Sequence, residues 1–374
     1  MNYQTSPRRV VVIGAGLGGL AAAYDLAKAG LDVTVLEKEP CAGGLAAGFD
    51  VQGAPLEKFY HHLFVNDADI LGLVSELGGQ SDILVRRSRT GIYHQGRIHR
   101  LSTPLDLLKF SPLSLLDRLR LGWMLLKARR IRDWRRLEDL TAERWLCDLC
   151  GPRVYRTVWR PLLYGKFGQF APEISAVWFW SKLKLRGGSR DSSGAESLIY
   201  FRGGFESVVR RLTDAITRLG GRILLNTEAV AIDAPGGNVA GVRAGGRTFP
   251  ADAVIATGPL PLTARLVEGA RVVEIARRSS GSAAETRAAQ GGGAGAPPPV
   301  TAPAGTGEFS DEFTRRLTSI QYLANLCLVL ELDTPLSDIY WLNVCDETFP
   351  YVGIIEHTNF EPPETYAGRH IVYL

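Results

Sequence analysis

Apolar residues follow two different periods within the first forty positions. RRVVVI is a continuous apolar run of strand length, GAGLGG a turn, LAAAYDLAKAG an apolar stripe at helical spacing, and LDVTVLEK a second strand-like run. Together they predict strand, glycine turn, amphipathic helix and strand from Arg8 to Lys38, one βαβ beginning. Residues 68–80 (ADILGLVSELGGQ) keep the helical period up to a glycine stop, and 83–101 alternate as short strands around a turn at Gln95 and Gly96. Helical signals dominate 104–186: DLLKF, LSLLDRLRLGWMLLKARRIRDWRRL, and TAERWLCDLCG opening with Thr141 and Glu143. RGGSRDSSG reads as a loop. FRGGFESVVRRLTDAITRLGG then reads as a helix stopping at Gly220 and Gly221, with a strand pair to follow and ADAVIATG as a buried strand ending in a glycine turn. Residues 278–308, rich in Ala, Gly, Pro and Ser, have almost nothing large and apolar to bury and read as a disordered insertion. Order returns at Phe309 with a helix leading into QYLANLCLVLELD and further strands; the closing HIVYL looks like an interior strand, so the expectation is a chain cut short at Leu374.

A length of 374 residues suits two lobes with a sizeable core. Hydrophobic residues at 45% and charged ones at 22% exclude general disorder. The net charge of +4 is far short of the concentrated basic face of a nucleic-acid binder, so nucleic acid is not an expected partner. The first residues lead straight into a strand and a helix holding Asp25 and Lys28, which is no signal peptide. No run reaches the ~18 consecutive apolar residues of a membrane span, so the expected location is cytoplasmic or, at most, peripheral to a membrane. Five scattered cysteines suit a reduced compartment, and Cys147 and Cys150, with no second pair and no nearby histidine, read as ordinary thiols instead of a metal or redox pair.

Gly14, Gly16 and Gly19 form G-x-G-x-x-G directly after a strand and before a helix, the context in which this motif cradles a pyrophosphate. Gly14 permits the tight turn, Gly16 lets the backbone approach the phosphates, Gly19 lets helix and strand pack, and the helix N-terminus supplies unpaired N–H groups at its positive end. Glu37 closes the second strand near the ~20-residue offset at which a carboxylate accepts from ribose hydroxyls. A 2′-phosphate is disfavoured there by charge.

With Ala23, Leu26, Gly30, Val33, Val35 and Glu37, followed by the doublet Gly43 and Gly44, the motif resembles the extended signature of two-dinucleotide-binding-domain flavoproteins. Within that group the chain is similar to the flavin-containing amine oxidase, protoporphyrinogen oxidase and phytoene desaturase superfamily. The resemblance implies an α/β architecture: a Rossmann-like FAD-binding domain from 1–75 and 190–267, and a helical and sheet substrate domain from 76–189 and 309–374. It implies FAD as cofactor, held by Gly14, Gly16, Leu17, Gly18, Gly19, Glu37, Lys38, Gly43, Gly44 and Leu45. YFRGGFESVVRRLTDAI resembles the family's glycine-containing entry to a second helix. Val230 matches the position whose backbone meets adenine, and Thr257 and Gly258 resemble a later strand-to-turn element near the cofactor. Many amine oxidases have arginine where this chain has Leu45, and the family's closing glycine-rich strand-to-helix element is not found before Leu374.

The implied reaction moves a hydride from a substrate C–H to flavin, leaving placement, polarity and water exclusion to the protein. His61 and His62 follow the glycine doublet where the family's chain passes the flavin, and they also resemble the histidine loop of UDP-galactopyranose mutases. They read either as groups beside the ring or as one core and one surface histidine. Trp159, Arg160, Tyr164 and Lys166 read as pocket lining for a carboxylated or phosphorylated substrate, or as core. Residues 115–137 set Leu119, Trp123, Leu126 and Trp134 among seven arginines, which suits a solvated helix face or contact with an anionic membrane. Three functions follow: an FAD-dependent oxidoreductase acting on a bulky, largely apolar small molecule, a flavin-dependent UDP-sugar mutase, and a truncated or non-catalytic flavin-fold protein. No metal is expected, and substrate, electron acceptor and oligomeric state are not fixed by the sequence.

Overall fold

The computed structural model describes residues 9–189, 196–267, 311–346 and 348–374. The segment read as a disordered insertion, 278–308, lies outside them. The chain divides into two compact units, one built from Met1–Ala47 and Val209–Tyr322, the other from Gly48–Val208 and Leu323–Leu374.

The first unit opens with strand β1 (Arg9–Ile13), helix α1 (Leu17–Lys28) and strand β2 (Asp32–Leu36). A four-stranded sheet runs in the order Arg222–Leu224, β2, β1, Ala253–Ala256, all parallel. Val10, Val11, Val12, Val33 and Val35 are buried, as a parallel sheet covered on both faces requires. The continuous apolar runs of the sequence reflect this double burial. Leu20, Ala23 and Ala27 form the buried stripe of α1. Because α1 leads to β2 on one side of β1 while Ala253–Ala256 adds on the other, the strand order reverses at the end of β1. That is the switch point at which open α/β sheets bind ligands. An antiparallel sheet of Ala229–Asp233, Gly241–Ala244 and Arg247–Pro250 shares a core with the parallel one through Val11, Leu36, Ile232, Val242 and Leu266.

The second unit holds a six-stranded sheet in the order Val329–Leu332, His370–Tyr373, Gly353–Glu356, Trp341–Val344, Thr90–His94, Arg97–Arg100. Its one parallel pairing joins Trp341–Val344 to Thr90–His94. The terminal strand His370–Tyr373 is flanked on both sides, the interior position its apolar run predicts. Gln95 and Gly96 both take positive φ, at 50° and 76°, in the tight hairpin turn that the sequence places there. Helices Leu115–Arg130, Ala142–Cys150 and Ala176–Gly188 enclose a core of Leu121, Met124, Trp145, Leu146, Phe179 and Trp180. The last of these helices extends to Gly188, into the segment read as loop.

The units divide at 47/48, 208/209 and 322/323, where the sequence reading placed its bounds at 75/76, 189/190 and between 267 and 309. A strand the local pattern did not single out, Glu196–Phe201, pairs with both Leu63–Phe64 and Ile83–Ser88, so all three strands form one sheet across the 75/76 and 189/190 bounds.

Candidate cofactor site

Gly14 takes φ +104°, and a Cβ there would lie 2.7 Å from Thr257 Oγ1. A Cβ on Gly19 would stand 2.0 Å from the Gly14 carbonyl oxygen, so turn and helix close together only without a side chain at 19. Gly16 is different. It caps α1 with ordinary extended backbone, φ −67° and ψ 169°, with no side-chain hydrogen bond to the helix, and a Cβ would meet nothing nearer than Gly44 Cα at 4.0 Å. Nothing in the protein itself demands glycine at 16.

The doublet Gly43 and Gly44 is brought against this turn. Gly16 and Gly43 form an isolated parallel bridge, and the Gly43 N–H donates to the Ala15 carbonyl over 2.8 Å. Glu37 is buried beside them: one carboxylate oxygen accepts the Ala15 N–H at 2.7 Å and the other the Glu39 N–H at 2.9 Å. Each oxygen keeps a second lone pair. Thr257 donates its hydroxyl to the Ile13 carbonyl at 2.9 Å, so it supports the turn from beneath, and Gly258 follows it. Val230 is exposed and falls at an irregularity of the Ala229–Asp233 strand, where the pairing skips from Ala229 to Ala231 and leaves Val230 out of the ladder. Leu17 is half-buried and Gly18 exposed at the start of α1, and Lys38 and Leu45 are exposed, Lys38 within ion-pair reach of Glu39.

In the second unit His61 and His62 are half-buried in an aromatic cluster. His61 Nδ1 lies 2.6 Å from the Phe59 carbonyl, which can only accept, so Nδ1 carries the proton and Nε2 the lone pair. His62 Nδ1 shares a 3.1 Å hydrogen bond with the Tyr340 hydroxyl, and its ring meets Phe64, Tyr340 and Trp341 edge-on. Burial holds both rings neutral, with the nearby Arg186 and His61 adding to the effect at His62, which is lowered to about 3. Below this cluster sits Glu57, buried at the end of strand Ala54–Glu57, which the sequence reading missed. It accepts from the Tyr200 hydroxyl at 2.8 Å and the Phe205 N–H at 2.7 Å, while Tyr373 donates to its backbone carbonyl. Burial raises its pKa despite these bonds. The only sequence signal for it was a charged residue closing an apolar strand.

Trp159 packs edge-on to Phe179 at 5.2 Å within the helical core, against which Tyr164 also rests, with the Arg160 guanidinium over the Tyr164 ring. Lys166 is exposed and close to the Phe167 ring. The core reading thus fits Trp159, while Arg160 is half-buried against Tyr164 and partial burial lowers the pKa of Lys166. Cys150 is buried, with its thiol pushed up to about 12 by burial, and Cys147 is a free thiol beside it. A cleft of about 570 Å³ lined by Arg87, Arg89, Arg100, Lys109, Asp338 and Asn359 contains none of the candidates named from sequence.

The family model described as flavin containing amine oxidoreductase matches residues 17–288. A Mycobacterium tuberculosis protein named as a flavin-containing monoamine oxidase is 27% identical over 244 residues, 62% of this chain and 52% of that one. The mitochondrial protoporphyrinogen oxidase of Nicotiana tabacum is 35% identical over 113 residues, 29% of this chain and 22% of that protein. The chain thus spans about half, or less, of the length of these curated relatives. Among solved structures, an oxidoreductase from Methanosarcina mazei superposes with a TM-score of 0.69 at 20% identity, covering 98% of this chain and 78% of its own, a likeness of fold. Glycine turn, carboxylate, glycine doublet and the extent of the family match lead to one conclusion: this chain belongs to the flavin-containing amine oxidoreductase family, whose cofactor is FAD.

Proposed function

We propose that the first unit holds FAD at the switch point of its parallel sheet, and that the protein oxidises a bulky, largely apolar small molecule by hydride transfer. The observation that carries this reading is Gly16. Its backbone conformation suits any residue and its surroundings leave room for a Cβ, so the reason for glycine lies outside the folded chain: a group that must come close to the backbone there. The residues present fit a dinucleotide in three further ways. The first-turn N–H groups of α1 face a cap with no side-chain acceptor, which suits a pyrophosphate. Glu37 is fixed by two backbone donors and retains acceptor capacity for ribose hydroxyls. The Val230 backbone, left out of its ladder, suits an adenine edge, and Leu17, Gly18, Lys38, Gly43, Gly44, Leu45, Thr257 and Gly258 complete the surround.

Bound FAD supplies the hydride acceptor, and the chain's own side chains supply placement. Neutral His61 offers an Nε2 lone pair to a substrate donor, while His62, bonded to Tyr340, stays uncharged and so favours an apolar substrate. Arg160, Tyr164 and Lys166 are candidate contacts for an acidic substituent. The test is the visible spectrum of the purified protein before and after adding FAD, followed by anaerobic reduction with candidate substrates. Flavin near one per chain that is bleached by an apolar amine or a related reductant supports the proposal. A folded protein that stays colourless overturns it in favour of a non-catalytic fold, and turnover of a UDP-sugar that requires reduced flavin assigns a mutase instead.

A further inference from the structure

We propose that the outer face of helix Leu115–Arg130 seats on the surface of an anionic lipid bilayer. The helix is apolar on two opposite sides. Leu121, Met124 and Ala128, with Asp117, form the stripe buried in the second unit's helical core. At about 100° per residue, Leu115, Leu119, Trp123 and Leu126 fall on the side directly away from that stripe. They are exposed by 63%, 56%, 49% and 50% respectively. Leu116 extends this face. Arg118 ties the start of this helix to the short helix Pro104–Lys109 before it, donating to the carbonyls of Leu113 and Leu108. A solvated face has no use for large apolar side chains at five such positions, and a contiguous patch of this kind marks an interaction surface.

The charges identify the occupant. On the same helical projection Arg120 and Lys127 border one side of the outer stripe and Arg118 and Arg129 the other, and Arg130 and Arg132 are exposed at its C-terminal end. The helix contains a single carboxylate, Asp117, which is buried and held by Ser114 and Arg120. The outer face of the helix itself therefore carries cations around an apolar centre, and the next exposed carboxylate along the chain, Asp133, lies past its C-terminal end beside Arg135 and Arg136. Pairing with a second copy through this same patch would set like charges face to face. An anionic headgroup layer above an acyl interior complements both parts. Trp123, with Lys127 over its ring at 5.5 Å, has the apolar body and cationic border that suit the boundary between them. Sixteen residues make a helix of about 24 Å that lies in the interface, and among the described residues no helix is long and apolar enough to cross a membrane.

The experiment is flotation of the full FAD-loaded chain with vesicles of phosphatidylcholine alone and of phosphatidylcholine mixed with phosphatidylglycerol. The mixed vesicles are expected to bind at least about tenfold more protein. Leu119→Glu with Trp123→Glu is expected to lower that binding about tenfold or more, while Lys127→Glu with Arg130→Glu removes the preference for anionic lipid. Both pairs lie on the surface, and unchanged circular dichroism and flavin content confirm their folding. The proposal is overturned if the wild-type chain floats with neither vesicle, if the Leu119/Trp123 variant binds as the wild type does, or if the wild type is a dimer that this variant dissociates.

Discussion

Three glycines of one motif are glycines for different reasons, and substitution should separate them. Gly14 and Gly19 answer to the protein's own geometry, one through a positive φ and the other through a Cβ that would overlap a carbonyl oxygen. Gly19→Ala is expected to cost about 2 kcal/mol or more in urea unfolding of the flavin-free chain, since the turn must shift to admit the methyl group. Gly16→Ala should leave the same measurement within about 0.5 kcal/mol of wild type. Histidine gives a second residue-scale expectation. His357 is fully buried with Nε2 2.8 Å from the Tyr366 hydroxyl, and burial lowers it to about 4. Above pH 6.5 neither state is protonated there and its contribution is fully present. As pH falls from 6.5 towards 4 the unfolded chain binds a proton that the folded chain does not, so stability drains by up to about 3 kcal/mol. His62 acts in the same direction. Replacing His357 by Gln should flatten the fall in unfolding free energy between pH 7 and pH 5; a slope equal to that of the wild type would show that other groups carry the acid sensitivity.

At the scale of elements, Glu57 joins a strand end to a helix start far away in sequence. Gly203 and Gly204 turn the chain through positive φ into helix Gly204–Arg218, and a Cβ on Gly204 would stand 2.8 Å from Glu57 Oε1. The carboxylate thus caps the helix from outside, at the end where its dipole is positive. Burial raises the pKa of Glu57 and so works against its charged form, while the bonds from Phe205 and Tyr200 favour that form. Glu57→Gln, which keeps an acceptor, should change thermal stability by less than about 1 kcal/mol, whereas Glu57→Ala leaves two buried donors unpaired and should cost about 2–4 kcal/mol. Equal losses from both would assign the effect to charge. None of this was legible from the local pattern, because the partners are separated by more than a hundred residues. By contrast the βαβ start was fully legible: its strands bury both faces, so burial appears as continuous apolar runs, and Gly14 to Gly19 sit between them. The Leu115–Arg130 helix shows a third case. The sequence offered a solvated face or a membrane contact for Leu119, Trp123 and Leu126 without saying which residues of the helix are buried; apolar residues on opposite faces blur the single stripe that marks an amphipathic helix, and only the structure separates the buried Leu121, Met124 and Ala128 from the exposed side.

For the whole molecule, the cofactor links the site to the stability of the fold. A ligand bound only by the native state adds about 2.7 kcal/mol when present at a hundredfold excess over its dissociation constant. Stripping FAD should therefore lower the melting temperature by several degrees, and adding it back should restore the loss. Gly16→Val tests whether this increment arises at the glycine turn. A Cβ there has room within the protein itself, and the γ-methyl groups reach further towards where the pyrophosphate is proposed to approach, so the flavin-free variant should melt with the flavin-free wild type and gain nothing from added FAD. Glu37→Lys should also lose the increment, yet with a lower starting temperature, since Glu37 holds the Ala15 and Glu39 N–H groups even without a ligand. A Gly16→Val protein that is stabilised by FAD as much as the wild type would remove the turn from the site, while one that melts early without FAD would mean that Gly16 serves the fold after all. The two substitutions thus separate what the site does for the ligand from what it does for the chain.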